Sequence, residues 1–463
     1  MTEEFLNEEK LNHNEFEDLQ SLDPNQLSRD DLSLLENTAG LTVARFLERL
    51  SVDESRSLLR DLSEEKAVEV LSEMEPEFSA DILEAMRDAR AVSFLEEIDP
   101  DDVADIVGEF EDTDRERLLG QLKSETQETI EELLSYDSDT AGGIMTPEVA
   151  TVRDNLNVDE AIFQIRQQRE ALETIYYIYI VDASDKLRGV VSMRNLMFAK
   201  PKSTISSILN EKLLGVCHIN DDKELVALEM AKYNLVALPI VDDDFKLVGI
   251  VTHDDAIDVI HDEATEDIQK MVGAGADEGI HDGVLLSVRR RTPWLFINLF
   301  TTAFAGGIIY LFQSEISEFT LLAVFLPVVA SIGGNAGSQT LAISIRGLAM
   351  GELDNSESVR TCFKESMKGV LEGVIVGLFA SMIAYFVCCS AGESQSQSFR
   401  IAIALFFSMI MTMGLATFTG IFIPLSLKKL NFDPAQSSSI FLTAITDICG
   451  FFIFLKIGVW LLL

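Results

Sequence analysis

Between Leu41 and Leu134 apolar residues recur every three or four positions, as in Ala67, Val70 and Leu71 or Val103, Ile106 and Val107. That spacing lines one face of a helix. Each run is short and opens on an acidic, prolyl or hydroxyl-bearing start: Ser51-Val-Asp-Glu54, Ser63-Glu-Glu65, Pro76-Glu-Phe-Ser79, Pro100-Asp-Asp102 and Ser124-Glu-Thr126. Such starts cap helices, so the pattern predicts stacked helical hairpins. The period then changes. Thr174 to Asp182 and Leu235 to Asp242 are β-rich runs, each followed by a turn and a second strand, with helices expected at Val158–Arg169 and Lys223–Tyr233. The acidic run His261 to Lys270 is predicted to continue as a helix, and Gly273 and Gly275 predict a bend after it. Five later segments are long and apolar enough to cross a bilayer: about Trp294–Phe312, Leu321–Ala349, Gly369–Cys389, Ile401–Leu425 and Ile440–Leu463.

The β-rich region repeats itself. Ile180, Val181, Asp182, Leu187, Gly189 and Val191 return sixty positions later as Ile240, Val241, Asp242, Leu247, Gly249 and Val251. With Met145-Thr-Pro-Glu148 ahead of the first copy, this resembles a tandem pair of CBS domains. Such pairs regulate many unrelated proteins, so the resemblance speaks to fold and not to function.

Charge divides the chain sharply. The first 288 residues hold 67 acids against 25 bases, a formal −42, and the remainder 10 against 11. So acidic a region repels nucleic acid and anionic lipid and attracts cations. The reading without function is a solubilising surface. Basic residues set the orientation of the spans: Arg289, Arg290 and Arg291 precede the first, Arg346, Arg360, Lys364 and Lys368 flank the second connection, and Lys428 and Lys429 lie in the fourth. The other connections carry Glu315 and Glu318, and Glu393 with Arg400. The amino terminus is therefore expected in the cytoplasm and the carboxyl terminus outside. Met1 to Asn12 has neither a basic region nor an apolar run, which predicts that the acidic half stays cytoplasmic. The five cysteines, odd in number and mostly beside apolar segments, read as reduced small hydrophobes.

Polar groups inside spans are costly, so their placement is informative. Asp447 lies about seven residues into the last span, about 10 Å along a helix, too deep for so short a side chain to reach the surface easily. It reads as a cation ligand lining a pore, against the alternative of an acid paired with Arg346 or Lys456. In the second span, Pro327, three glycines, Asn335, Ser338, Gln339 and Thr340 interrupt an apolar run. Either small residues pack helices closely here, or the helix opens and offers polar groups to a hydrated ion. Magnesium sheds water reluctantly and is held by one or two carboxylates. One aspartate per chain suits it poorly and two on a symmetry axis suit it well, which predicts a homodimer.

The Gly333-Gly-Asn-Ala-Gly-Ser-Gln339 run, the Asp447 segment and the domain order together resemble the MgtE family of magnesium transporters. The resemblance implies a multi-domain chain: a flexible acidic tail over 1–40, an α-helical superhelical amino-terminal sensor over 41–137, an α/β tandem CBS pair over 138–262, an acidic connecting helix over 263–288, and an all-α transmembrane domain with five spans over 289–463. It implies that Asp447 binds Mg2+ in the pore, lined by Asn335. Regulatory Mg2+ would bridge Asp101 and Asp105, Asp255 and Asp258, and Glu263, Glu266 and Asp267, closing the pore from the cytoplasm. Where the family carries an acid before the second CBS strand this chain has Asn234, with Lys232 nearby, which removes one sensor ligand; Lys456 in the last span is a second departure. Thr252 and Asp255 have the spacing used to hold a ribose, so ATP at the CBS pair is the cofactor expectation, and Ser192 and Asn195 occupy the same positions in the first copy. The alternatives are transport of other divalent cations such as cobalt, nickel or manganese, or gating mainly by adenine nucleotide. An anion channel would need basic pore groups, and an enzyme a nucleophile and base that the sequence does not offer.

Overall fold

The computed structural model describes Leu19 and residues 29–168, 174–210, 213–276, 278–279, 283–353, 358–430, 432–436 and 438–463. The chain forms two compact units, Met1–Ile260 and His261–Leu463.

The first unit begins, among the described residues, with nine short helices between Arg29 and Leu133. Their starts keep a strict spacing. The residues just before the helices are Ala39, Ser51, Ser63, Glu75, Arg87, Asp99, Glu111 and Lys123, each twelve positions from the last. Buried positions repeat with them, as Leu47, Leu59, Leu71, Leu83, Leu95, Val107 and Leu119. An equally regular polar bond locks the stack. The carboxylates of Glu36, Glu48, Glu84 and Glu96 accept the backbone N–H of Ser63, Glu75, Glu111 and Lys123, twenty-seven residues on, at 2.5 to 3.3 Å. Each bond satisfies an orphan donor at a helix start. Ser55 and Ser79, fully buried, donate to the carbonyls of Leu47 and Leu71 at 2.8 and 2.9 Å. The expected flexible tail lies mostly outside the described residues, but its end is not a tail: Arg29–Asn37 is helical, and Leu19 and Leu35 are fully buried in the helical core. Their apolar surface finds partners there, which the acidic composition concealed.

The repeat of the sequence is a repeat of structure. Strands β1 (Thr151–Arg153), β2 (Tyr177–Val181) and β3 (Leu187–Ser192) form one sheet, and β4 (Cys217–His218), β5 (Ala237–Val241) and β6 (Leu247–Thr252) a second, with the same order and the same parallel and antiparallel pairs. The register matches as well, Ile180 facing Gly189 and Ile240 facing Gly249, each next to an irregularity. Both glycines are required. A Cβ on Gly189 would lie 2.5 Å from the carbonyl oxygen of Asn210, and one on Gly249 2.7 Å from that of Thr146.

The helix His253–Val272 starts in the first unit and ends in the second. Gly273, with φ +77°, closes it. The connecting segment is therefore not one helix over 263–288: a non-helical stretch follows Val272, and the next helix begins at Val284. At that turn the buried Glu278 accepts from Arg291 at 2.8 and 3.0 Å. Bonds from Arg291, then Ser287 and the Gly275 N–H, hold its carboxyl down at about 2.

Five helices of the second unit are long and apolar enough to span a membrane: Val284–Leu311, Leu321–Ala349, Ser358–Ser390, Gln395–Lys429 and Ser438–Leu462. The first and third extend about ten residues beyond the apolar runs that predict them, so Arg289–Arg291 stand on the first helix and not before it. The second span is unbroken through Pro327 and the glycines. The open-helix expectation is thus corrected, and the small residues serve close packing. A Cβ on Gly337 would meet Leu442 at 2.8 Å, and one on Gly420 the carbonyl oxygen of Gly337 at 2.6 Å. Main-chain bonds of a continuous helix are satisfied within it, which is why hydrocarbon favours this solution.

Candidate functional site

Carboxylates gather in the first unit where the helix Pro100–Gly108 meets the CBS pair. That helix buries Val103, Ile106 and Val107, and the same turns carry Asp102 and Asp105, three apart and so on one side. Asp255 stands in the first turn of His253–Val272. Its carboxylate accepts the N–H of Thr252 at 3.1 Å and the Thr252 hydroxyl at 2.6 Å, which fixes it at the helix start.

The groups feel one another strongly. Burial, then the charge of Asp99, pushes the half-buried Asp102 up to about 7, against a bond from Ser72 and with help from Asp105 and Asp255. Asp105 keeps solvent access, yet the protein crowding it, then the charges of Asp255 and Glu109, bring it to about 6, with Lys223 opposing. Burial raises Asp255, Asp99 and Glu148, the last also through Asp99. Raised carboxyls mean that negative charge is held here without enough compensation.

Of the residues expected from the sequence, the structure brings Asp105 and Asp255 near Asp99 and Asp102, with Glu148 beside Asp99, and the sequence reading does not single out the last three. Their signal was available: Asp99 and Asp102 share the spacing of Asp102 and Asp105. Asp101 is half-buried on the same helix and Asp258 is exposed one turn beyond Asp255. Among the described residues no group of three or more His, Cys, Asp or Glu converges as a ready-made metal cage. An ion that keeps most of its waters and takes one or two carboxylates does not require one.

In the second unit, Glu263, Glu266 and Asp267 are half-buried on the connecting helix. Glu266 is bonded to Lys270, whose ammonium also pairs with Asp433 at 2.8 Å. Burial works to lower the Lys270 pKa, but the bonds to Asp433 and Glu266 hold it above its ordinary value. Asp433 accepts the N–H of Ala435 at 2.8 Å just before the fifth span. Met271 packs beside this pair against Leu341, Ile345, Ile423 and Leu442, from the second, fourth and fifth spans, and against Ala435 in the connection between the last two. Nothing in the sequence marks this contact, since neither Lys270 nor Asp433 stands in a motif.

Asp447 is half-buried in the fifth span, and among the described residues it has neither a hydrogen bond nor an ion pair. The expected alternative partner Lys456 instead acts on Glu315, beyond the first span. The second span packs on the fifth through Gly337 and Leu442. It exposes Ser331, Asn335, Ser338 and Gln339 at three- and four-residue spacing, a polar stripe on the outside of the bundle.

The CBS pair holds a cavity of about 140 Å³ lined by Tyr177, Tyr179, Ser192, Asn195, Asn210 and Pro239, among others. Its polar lining comes from the first copy, and Leu235, Ala237 and Pro239 of the second close it. Thr252 and Asp255, expected to take a ribose, are hydrogen-bonded to each other at 2.6 Å.

Comparison with known proteins places these parts together. A family model described as a divalent cation transporter matches residues 326–457, one described as the MgtE intracellular N domain matches 41–139, and CBS domain models match 141–202 and 207–262. The magnesium transporter MgtE of Enterococcus faecalis is 35% identical over 335 residues, 72% of either chain. That of Thermus thermophilus is 34% identical over 346 residues, 74% of either chain. Among solved structures, the cytosolic domain of the Mg2+ channel MgtE in complex with ATP is similar at 38% identity with a TM-score of 0.48, over 50% of this chain and 94% of that one.

Proposed function

The chain belongs to the MgtE family of magnesium transporters, and from that premise we propose that Mg2+ crosses the membrane past Asp447 on the axis of a homodimer. The observation that carries this reading is the unpartnered carboxylate of the fifth span. In hydrocarbon an isolated charge is costly and is kept where it meets a partner, water or an ion. The polar stripe of Ser331, Asn335, Ser338 and Gln339 supports the dimer, because such a face is costly against lipid and favourable against a second copy or a wet pore. Two Asp447 carboxylates then meet one hydrated ion. The basic residues on the first span and at the end of the fourth favour a cytoplasmic amino terminus in the cell membrane, and the reading assigns the chain transport without chemistry.

The acidic cluster supplies the regulation. Without a cation, Asp99, Asp102, Asp105, Asp255 and Glu148 repel one another and loosen the helical domain from the CBS pair. Cytosolic Mg2+ neutralises them and draws the two together, and the helix that begins beside Asp255 carries the change toward Lys270. Moving a gate from mostly open to mostly closed takes about 5.5 kcal/mol of differential binding, which several shared divalent ions provide. An adenine nucleotide, if the CBS pair takes one, fits the cavity beside Ser192 and Asn195 better than Thr252 and Asp255.

The test is Mg2+ flux into liposomes containing the purified chain, with internal and external Mg2+ set separately. Asp447→Ala is expected to reduce flux by roughly a hundredfold, about 2.7 kcal/mol on the barrier. Undiminished flux in that variant would place the ion path elsewhere.

A further inference from the structure

The helical domain holds a cavity that the transport reading does not use. Residues 41–137 contain 29 acids and only ten bases. Four of the ten, Arg56, Arg60, Arg87 and Arg90, line one cavity of about 700 Å³, together with Asp53, Ser57, Ala85, Met86 and Ala89. Like charges repel, so four guanidinium groups around one concavity require either local compensation or an anion between them.

Compensation is partial. Arg56 donates to the carbonyl of Ala85 at 2.8 Å and pairs with Asp53 at 2.7 Å. Arg90 donates to the carbonyls of Leu59 and Arg60 at 3.3 and 3.1 Å and lies 5.3 Å from the centre of the Phe94 ring. Both are fixed in the wall: Arg56 ties the helix Val52–Asp61 to the turn before Asp88–Leu95, and Arg90 ties Asp88–Leu95 itself to the end of Val52–Asp61. Arg60 and Arg87 are exposed. Among the described residues the Arg60 side chain meets only its neighbour Asp61, at 3.2 Å, and Arg87 makes no ion pair. The helix Asp88–Leu95 also starts here without a side-chain cap. Ala89, in its first turn, lines the cavity, so open N–H groups add to the positive potential.

The size is that of a small-molecule site, and guanidinium forks match the paired oxygens of phosphate. The surrounding acidity selects for compactness. A nucleic acid or a long acidic peptide needs a basic stripe and would be repelled by the rest of the domain, whereas a small anion lies within reach of the arginines and about one Debye length, roughly 8 Å, screens it from more distant acids.

We propose that this cavity binds a compact phosphorylated anion of the diphosphate class, seated on Arg56, Arg90 and the start of the helix Asp88–Leu95 and closed over by Arg60 and Arg87. The transport reading does not depend on it. The experiment is calorimetric titration of the full chain in detergent with inorganic pyrophosphate, in Mg2+-free buffer of constant ionic strength. Wild type and Arg45→Gln, an exposed arginine elsewhere in the domain, are expected to bind saturably. Arg60→Gln with Arg87→Gln is expected to bind at least about tenfold more weakly, the scale of losing charge-assisted hydrogen bonds, with its thermal unfolding unchanged in the absence of the probe. Should the double variant lose stability, Arg87→Gln alone, which breaks no bond present in the fold, must still weaken binding. Equal binding by the arginine variants, no saturable binding by wild type, or equally tight binding of citrate each overturns the proposal. Orthophosphate and a nucleoside diphosphate, run in parallel, separate an inorganic from a nucleotide source once the arginine dependence is established.

Discussion

At the residue scale the acidic cluster makes a signed statement about pH. An aspartate whose folded pKa lies above its unfolded value, near 3.9, holds its proton more tightly when folded. It therefore contributes stability at low pH that is lost as pH rises through the folded value. For Asp102 and Asp105 the loss runs from about pH 4 to the region of 6 to 7. Under the proposed regulation, Mg2+ competes with those protons. Binding at pH 6.5 is expected to release protons, measurable by titrating the protein with Mg2+ in buffers of different ionisation enthalpy, and the affinity is expected to rise between pH 5.5 and 7.5. The double variant Asp102→Asn, Asp105→Asn is expected to abolish that pH dependence. If the dependence survives, the sensor lies in other carboxylates. Much at this scale was legible in the sequence. Asp447 stood out because a carboxylate deep in an apolar run has few structural explanations, and Asp105 and Asp255 through the family resemblance. Asp102 escaped because each acid in so acidic a chain reads as a solvated surface, and only the fold decides which ones face each other.

At the element scale the helical domain is a repeat protein whose period was visible and overlooked. Capped starts at Ser51 and Ser63 are twelve apart, but later starts are Glu75, Arg87 and Lys123, which make no side-chain cap. At Glu75 and Lys123 the cap is delivered from outside, by a glutamate twenty-seven residues earlier, whereas Arg87 has Arg60 at that distance and no such bond. A search for capping residues loses the period, whereas the buried series from Leu47 to Leu119 retains it. Repeats that contact only their neighbours share stability through interfaces. Leu83→Ala, fully buried in the middle of the stack, is expected to cost about 2–5 kcal/mol and to lower the first thermal unfolding transition. In the membrane the corresponding device is glycine. Gly369, Gly373 and Gly377 sit one turn apart on the third span against the fourth, and a Cβ on Gly373 would lie 2.7 Å from the Cα of Ile410. Backbone cannot yield as a side chain does. Gly373→Leu is expected to destabilise the bundle by about 2 kcal/mol or more, read as a lower unfolding temperature in detergent. The misplaced starts of the first and third spans have a related cause, since hydropathy finds the lipid-crossing part while a helix continues into water as far as its backbone bonds allow.

For the whole molecule the dominant fact is a formal charge of −41 concentrated before the membrane helices. Composition alone leaves open whether that charge is surface or sensor, and the raised carboxyls of Asp102, Asp105 and Asp255 favour a sensor, because solvated acids have no reason to shift. If the charge merely solubilised the chain, any salt would screen it alike, with effects governed by ionic strength. If divalent ions bind where carboxylates crowd, Mg2+ acts at concentrations at which monovalent salt of equal ionic strength does nothing. Limited proteolysis of the full chain in detergent separates the two. Millimolar Mg2+ is expected to slow cleavage between the helical domain and the CBS pair at least several-fold, and matched NaCl to leave the rate unchanged. Binding to the closed form alone stabilises it by the logarithm of the ligand excess, so protection should grow with Mg2+ concentration and then level off. The Asp102→Asn, Asp105→Asn variant should lose most of that protection while its Mg2+ flux, proposed to depend on Asp447, persists and no longer falls as internal Mg2+ rises. Equal protection by NaCl would return the acidic face to the role of a solvated surface and leave the pore without this regulator.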